Sequence, residues 1–327
     1  MGKLVKMLQF VILLTLVLLC CWIDGIFRPV LCSGTQDSEG TSRGNLELRP
    51  EIQTSVSILY TDNRVELMEL DEYVFRVVLG EVSADFHMEA LKAQAIAART
   101  YTLRCVLHSE KHEQGSVCTD YRCCQAYCEP SEYLKFGGTK EGLGRIKEAV
   151  DATVGKVLCY GNELICATYF SSSGGITEDA KYVWGERYPY LKSVSSPGEE
   201  YYRYYNDKIV FTATDLQKKL SVNLSGKPEQ WFGMVMHTPG QGIALMRIGG
   251  KLYTGIELRQ LLALRSTIIE VTVEKENIVF STRGYGHRVG MSQHGANVMA
   301  KQGKTCEAIL LHYYTDVTLC QYRDNND

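Results

Sequence analysis

Apolar residues in this 327-residue chain form one long, uncharged run, followed by shorter segments with strand or helix periodicity. The long run, MLQFVILLTLVLLCCWI (Met7 to Ile23), carries no charge, follows Lys3 and Lys6 and stops at Asp24. Its length is at the short end for a membrane-spanning helix, and no small-residue cleavage site follows. Residues 1–25 therefore read as a cytoplasmic tip and an uncleaved single-pass anchor. The leading lysines keep the N-terminus in the cytoplasm and put the remainder outside. Residues 26–47 include the polar stretch CSGTQDSEGTSRGN and read as a flexible tether, so folding is expected from about residue 48.

In the folded part, SVSILY and VFRVVLG look like strands, and Met88 to about His108 like an alanine-rich helix. Further strands are expected at Lys156–Tyr160, Leu164–Phe170 and Ile209–Ala213, and helices at Asp215–Leu220 and Gly255–Leu264. Ile268–Val273 and Ile278–Ser281 read as a hairpin. Strands and helices do not alternate regularly and no repeat is visible. The expected fold class is α+β: mixed sheets and helices forming a cleft over residues 48–327. Glycine-rich segments bracket residues 206–281, which read as a smaller inserted lobe.

A net charge of −3 gives no electrostatic footprint for nucleic acid. Twenty tyrosines against nine phenylalanines favour a surface of amphipathic rings, which suits sugars and equally any half-wet contact.

The stretch GEVSADFHMEALKAQAIAART holds two glutamates eight residues apart, Glu81 and Glu89. Val78, Leu79 and Val82 surround Glu81, and an apolar setting raises a carboxyl pKa. Glu89 falls in the first helical turn, where the dipole favours the ion, so it reads as a helix-end stabiliser. Glu81 is the better proton donor, although a surface glutamate at a strand end is the plain alternative. Asp85 fits a helix N-cap. Lys92 and Arg99 lie on nearly the same helix face, as a solvated basic stripe or as a cationic rim. Ser171, Ser172 and Ser173 precede Gly174 and Gly175 and could offer hydroxyls to a sugar or simply make a tight turn; no GxSxG elbow surrounds them. His287, Ser292, Gln293 and His294 cluster in a glycine-rich loop, as ligand binders or structural hydrogen bonders. His112, Cys118, Cys123, Cys124 and Cys128 fall within seventeen residues, a spacing that suits zinc or disulfides, and no HExxH motif accompanies them. Cys159 with Cys166, and Cys306 with Cys320, are candidate disulfides or buried thiols.

Three segments carry a family likeness: GEVSADFHMEALKAQAIAARTY, ATYFSSSGGITEDAKYVWGERYPYLKSVSSP and GYGHRVGMSQHGANVMAKQGKTCEAILLHYYTDVTL. Together they resemble the stage II sporulation protein D family, which includes LytB-type amidase enhancers, and the likeness runs from about Ser55 to Leu319. It implies a membrane-anchored lytic transglycosylase of a clostridium-like spore former. Such enzymes cut peptide-stripped peptidoglycan strands between N-acetylmuramic acid and N-acetylglucosamine, leaving 1,6-anhydro ends, while the mother cell engulfs the forespore. A non-catalytic, glycan-binding activator of a cell-wall amidase is the alternative. The implied partners are glycan strands, a cell-wall amidase and engulfment-complex membrane proteins, with the folded region extracytoplasmic on the mother-cell membrane.

By the same resemblance Glu81 aligns with the catalytic acid, and Arg99, Tyr190 and Lys192 line the cleft, the last two alternating in an expected strand. Some clostridial members hold zinc with His-x5-Cys-x4-His-Cys. Here His112-x5-Cys118-x4-Cys123-Cys124 gives a Cys3His set with cysteine in place of the second histidine, or with Cys128 in place of Cys123, as a structural clip with no catalytic cofactor. The chain departs from the family in two places. Val82 and Ser83 stand where Met-Pro is usual, and Arg288 replaces a glycine, which is expected to narrow or charge one cleft wall.

Overall fold

The computed structural model describes residues 55–108, 112, 117–274 and 277–322. The apolar run Met7–Ile23 and the tether lie outside them. Among the described residues no helix is long and apolar enough to cross a membrane.

Nine helices and a set of small sheets make a mixed α+β fold among the described residues. The helices are α1 (Leu70–Glu81), α2 (Met88–Leu107), α3 (Pro130–Lys135), α4 (Lys140–Asp151), α5 (Ala180–Trp184), α6 (Ala213–Leu220), α7 (Gly255–Leu261), α8 (Gln293–Lys301) and α9 (Cys306–Tyr313). Helix α2 is the central element. Ala90, Leu91, Ala93, Gln94, Ala95, Ile96, Ala97 and Ala98 are all buried, so it has no solvent face over two turns. Its alanines let α1, α4, α8, α9 and the strand Lys156–Tyr160 pack closely around it.

VFRVVLG forms part of α1, where a strand was expected. Leu70, Tyr73, Val74, Val77 and Val78 recur at helical spacing and form one apolar face, and Phe75 and Leu79 are buried as well. Burial on several sides removed the polar positions that would have revealed the helical period. SVSILY is a strand through Leu59, paired antiparallel with Val65–Glu69. Leu164–Phe170 contributes only the short strands Glu163–Leu164 and Tyr169–Phe170 around an irregular middle.

A second hydrophobic cluster, including Phe211, Leu216, Ile248, Leu258 and Phe280, is drawn from residues between Ile209 and Phe280. It is covered by two three-stranded sheets. One joins Asn206–Thr212, Asn277–Arg283 and Ile268–Glu274; the other joins Phe232–His237, Ile243–Ile248 and Lys251–Tyr253. Entry and exit strands pair directly, Asn206 with Arg283, and the Gly284 N–H donates to the Tyr205 carbonyl at 2.7 Å.

Arg288 was expected on a cleft wall and is instead fully buried. Its guanidinium donates to the carbonyls of Ser173 (2.9 Å), Ile176 (3.0 Å) and Gly240 and to the Thr267 hydroxyl (3.1 Å), beside Glu178 at 3.8 Å. It therefore ties residues 240 and 267 to the Ser173–Glu178 segment. Its φ of 68° lies in the left-handed region, where a glycine would sit without strain.

Arg99 is likewise fully buried and not on a rim. Its guanidinium donates to Asp71 at 2.8 and 2.6 Å and reaches the Val150 and Lys156 carbonyls at 3.4 Å, joining α1, α2, α4 and the strand after it. Arg99→Met should lower the unfolding free energy by roughly 3 kcal/mol, the scale of removing one partner of a buried pair. Asp71→Asn keeps a hydrogen-bond acceptor but leaves the fully buried guanidinium without its counter-charge, so it should cost a comparable amount. Urea denaturation measures both, and an Arg99→Met protein of unchanged stability that fails to bind glycan would overturn this placement.

Candidate active site

Glu81 ends α1 and is half-buried. One carboxyl oxygen accepts the Ala126 backbone N–H at 2.7 Å, and the other accepts the Gln293 side-chain amide at 3.0 Å. Burial raises its pKa above the ordinary carboxylate value, and these two donors offset only part of that rise.

Each donor is positioned by its own support. Gly80 lets the 126–127 backbone lie against the end of α1, since a β-carbon there would stand 2.9 Å from the Tyr127 nitrogen. The Cys128 N–H donates to the Arg76 carbonyl at 3.0 Å. Buried Gln125 donates to Thr102 at 2.9 Å and accepts from the Tyr169 hydroxyl at 2.7 Å. Together these fix the peptide that points at Glu81.

Gln293 opens α8, with Ser292 as N-cap accepting from the Gly295 N–H at 3.2 Å. The Ser292 hydroxyl also donates to Glu199 at 3.0 Å. This fully buried carboxylate accepts as well from the hydroxyls of Ser172, Ser173 and Ser196 at 2.6 Å and from the Ser173 N–H at 2.8 Å. Tyr313 meets Ser196 at 2.6 Å, so α9 joins the same network. Gly295 keeps the space open, because a β-carbon there would lie 2.1 Å from the Tyr313 oxygen. Glu199 was missed in the sequence. Its only signal was a surplus of serines at 172, 173, 196 and 292 that, once buried, need a shared acceptor.

The three sequence segments thus converge. Met291–Ser292 pairs parallel with Tyr169–Phe170, the Ser172 and Tyr285 backbones exchange hydrogen bonds, and the His294 N–H donates to the Ser171 carbonyl at 3.0 Å. Ser171 is half-buried with its hydroxyl on Tyr202 at 3.2 Å, whereas Ser172 and Ser173 are turned inward to Glu199. The half-buried His287 ring accepts the Val289 N–H on Nδ1 at 3.1 Å and packs by Trp184 and Phe170. Burial and then the Arg259 charge lower its pKa to about 3, so it is neutral near pH 7. Burial, then Lys301, lowers His294 to about 4.

Tyr190 and Lys192 do not share a strand face. Tyr190 lies in a turn, buried, accepting the Cys166 N–H at 3.0 Å, while Lys192 is exposed 3.9 Å from Asp316. Burial would raise the Glu89 carboxyl, but Lys92 at 2.8 Å and the Cys306 N–H at 2.7 Å outweigh it and hold it below the ordinary value. Glu89 is a pin between α2 and α9. His87, not Asp85, caps α2, and exposed Asp85 turns back onto Ser83.

Immediately before Gln125, the side chains of His112, Cys118, Cys123 and Cys124 gather with their donor atoms within 4.8 Å of one another. The His112 Nε2 lies 3.3 Å from the Cys124 sulfur and 3.6 Å from that of Cys123. A tetrahedral zinc with bonds of about 2.0–2.3 Å has donor–donor edges of about 3.5–3.8 Å. The two histidine–cysteine separations are close to that, and separations of up to 4.8 Å within the set would have to close by about 1 Å, so the donor types fit that ion. Cys128 falls outside the group. Cys159, Cys306 and Cys320 are thiols and not halves of disulfides, so neither the Cys159–Cys166 nor the Cys306–Cys320 pairing forms.

Replacing Gln293 by leucine removes one donor that favours ionised Glu81, so the Glu81 pKa should rise further. A carboxyl-carbon NMR titration of labelled glutamate measures this, and a downward shift would contradict the assigned hydrogen bond.

Comparison with known proteins fits this convergence. Residues 61–160 match the family model described as Stage II sporulation protein. Stage II sporulation protein D of Bacillus subtilis (strain 168) is 42% identical over 266 residues, covering 80% of this chain and 77% of that relative. The protein of the same name from Bacillus amyloliquefaciens is 39% identical over 277 residues, 83% of this chain and 80% of its own. The amidase enhancer of Bacillus subtilis is 27% identical over 310 residues, 75% of this chain but 40% of the enhancer. Identity of 42% over 80% of this chain and 77% of the first of these relatives means that this chain belongs to the stage II sporulation protein D family.

Proposed function

We propose that the chain is a lytic transglycosylase that cleaves peptide-stripped glycan strands of peptidoglycan, with Glu81 as its acid. The observation that carries this reading is a half-buried carboxyl with a raised pKa, held by two neutral donors. Cleavage of a glycosidic bond needs a proton on the leaving oxygen, and a carboxyl of this kind keeps one nearer to neutrality.

In the proposed reaction Glu81 protonates the oxygen between muramic C1 and the next glucosamine, and the C1–O bond breaks. The muramic 6-hydroxyl oxygen then bonds to C1, and its proton returns to Glu81. No water is consumed, so one carboxyl completes the cycle, whereas hydrolases use two. The internal hydroxyl is already beside C1, and this proximity replaces a second residue. The Ala126 N–H and the Gln293 amide stabilise the carboxylate in mid-reaction. Nearby buried carboxylates have other partners: Glu199 its serines, and Glu178 Arg288 and Thr238. Ser171, Gln293 and His287 are the proposed sugar contacts, with exposed Lys192 further out and buried Tyr190 as a support.

The proposal extends to cell context. Met7–Ile23 would anchor the chain with its folded part outside, and a cell-wall amidase would supply the stripped strands. The likeness to an amidase enhancer supports a second reading, in which the site grips glycan and activates an amidase without cutting.

Glu81→Gln should abolish cleavage while leaving fold and strand binding nearly intact, and Glu89→Gln should lose far less. Mass spectrometry of digested peptide-free strands should show 1,6-anhydro ends from the unsubstituted chain. Reducing muramic ends as the main product would point to a hydrolase, and full activity of Glu81→Gln would favour the activator reading.

We also propose a structural zinc held by His112, Cys118, Cys123 and Cys124, ordering a loop with little core of its own. Protein purified under reducing conditions should contain about one zinc per chain. Cys118→Ser and Cys124→Ser should each lower metal content and the thermal midpoint. Metal-free, fully active protein with these cysteines in disulfides would establish the oxidised alternative.

A further inference from the structure

We propose that an aromatic and cationic strip leading away from Glu81 is a binding platform for an acidic polysaccharide segment beyond the sugars at the acid. The strip begins at His294, the neighbour of Gln293. The His294 ring stacks on Tyr202 with centroids 3.6 Å apart and meets Phe86 and Tyr201 at 5.2 and 5.7 Å. Tyr202 meets Tyr204 at 5.5 Å, and Tyr204 meets Tyr285 at 6.3 Å, so the rings form a continuous chain. It is fastened to the site loop through the Tyr202 hydroxyl on Ser171 and the His294 N–H on the Ser171 carbonyl.

These rings are not serving a core. Tyr201 is 54% exposed and Tyr285 39% exposed, so part of each ring is open to a half-wet, partly apolar contact. They are also held in place, since the Tyr201 hydroxyl meets His294 Nδ1 at 3.0 Å and receives the Asn297 amide at 3.4 Å. Tyr201 and Tyr285 offer exposed ring surface to the C–H side of a sugar and hydroxyls to its edges. Tyr202 and Tyr204, faced by His294 and by Arg203 and Arg265, hold the row rigid, with little side-chain entropy left to lose on binding.

The charge on the strip selects the kind of sugar. Arg203 lies over Tyr204 at 4.2 Å, Arg265 over Tyr204 and Tyr285 at 4.4 and 5.4 Å, and Lys301 over Tyr201 at 5.4 Å. Asp207, 3.3 Å from Arg265, and exposed Glu200 are the acids alongside. Cations thus outnumber acids on the strip although the chain as a whole is net negative. Carboxylates spaced along a sugar chain, such as the lactyl groups of muramic acid, match this alternation of ring and cation. A single-stranded nucleic acid would also accept rings and cations, but the overall charge opposes it.

This inference rests on the glycan reading of Glu81, and its test uses binding alone so that the two can fail separately. The full chain carrying Glu81→Gln, in detergent, would be titrated with three probes: peptide-free glycan strands, neutral N-acetylglucosamine oligomers of similar length, and a single-stranded oligonucleotide. Adding Tyr204→Ala and Tyr285→Ala should weaken both sugar probes by roughly tenfold, the scale of losing aromatic stacking. Adding Arg203→Gln and Lys301→Gln should weaken the acidic strands selectively, and the difference should shrink as salt is raised. Circular dichroism melting would check that each variant is folded, with Arg203→Gln alone as the mildest surface change. Unchanged sugar binding in both sets of variants, no sugar binding at all, or tighter binding of the oligonucleotide would each overturn the platform. Loss of cleavage in the unsubstituted chain with these binding effects intact would overturn the Glu81 chemistry and leave the platform standing.

Discussion

A carboxyl group that is to keep its proton cannot be given a cation for a neighbour, and that restriction organises the region around Glu81. Both of its donors are neutral amides, one from the backbone and one from a side chain. Cations on its own helix, on α2 and on α4 are directed elsewhere: Arg76 to Glu72 and Glu129, Arg99 to Asp71, Lys92 to Glu89 and Arg145 to the Ala84 and Phe86 carbonyls. Burial can then raise the carboxyl without a compensating ion pair that would pull it back down.

Neutral donors are weaker than charged ones, so their placement depends on rigid supports. The Ala126 peptide is fixed by the close approach at Gly80 and by the Gln125 side chain, locked between Thr102 and Tyr169. Gln293 is fixed by the start of α8, whose cap is shared with the Glu199 carboxylate. Glu199 gathers residues 172, 173, 196 and 292 around one buried charge, and so holds the second and third sequence segments in register. The chemistry proposed for Glu81 thus depends on a second glutamate that does not face it.

Much of this was legible in the sequence, for identifiable reasons. Helix α2 announced itself through alanine content, and Glu81 through its apolar neighbours and position before that helix. The His112–Cys124 spacing foretold the gathering of those four side chains, and Gln293 was singled out although its partner was not. What failed were inferences that needed a direction for a side chain. Arg99 and Arg288 read as surface cations because arginine usually is one, and only three-dimensional packing showed that carbonyls from distant segments satisfy them. VFRVVLG read as a strand because burial on several faces erased its period. Glu199 carried no local signal, since its meaning depends on serines scattered over some 120 positions of chain.

The sequence distances spanned by these bonds also govern how the chain acquires its site. Glu81 and Gln293 are 212 residues apart, Glu89 and the Cys306 N–H 217, and His87 and Asn297 210. Contacts of such high order close late in folding, because loop-closure entropy is paid before they contribute. A chain that has emerged only as far as the lobe between Asn206 and Arg283 already contains the carboxyl, α1 and α2, yet lacks the amide that completes the pair. The site therefore comes into being when α8 docks onto α2, and remains unassembled throughout synthesis of everything before it.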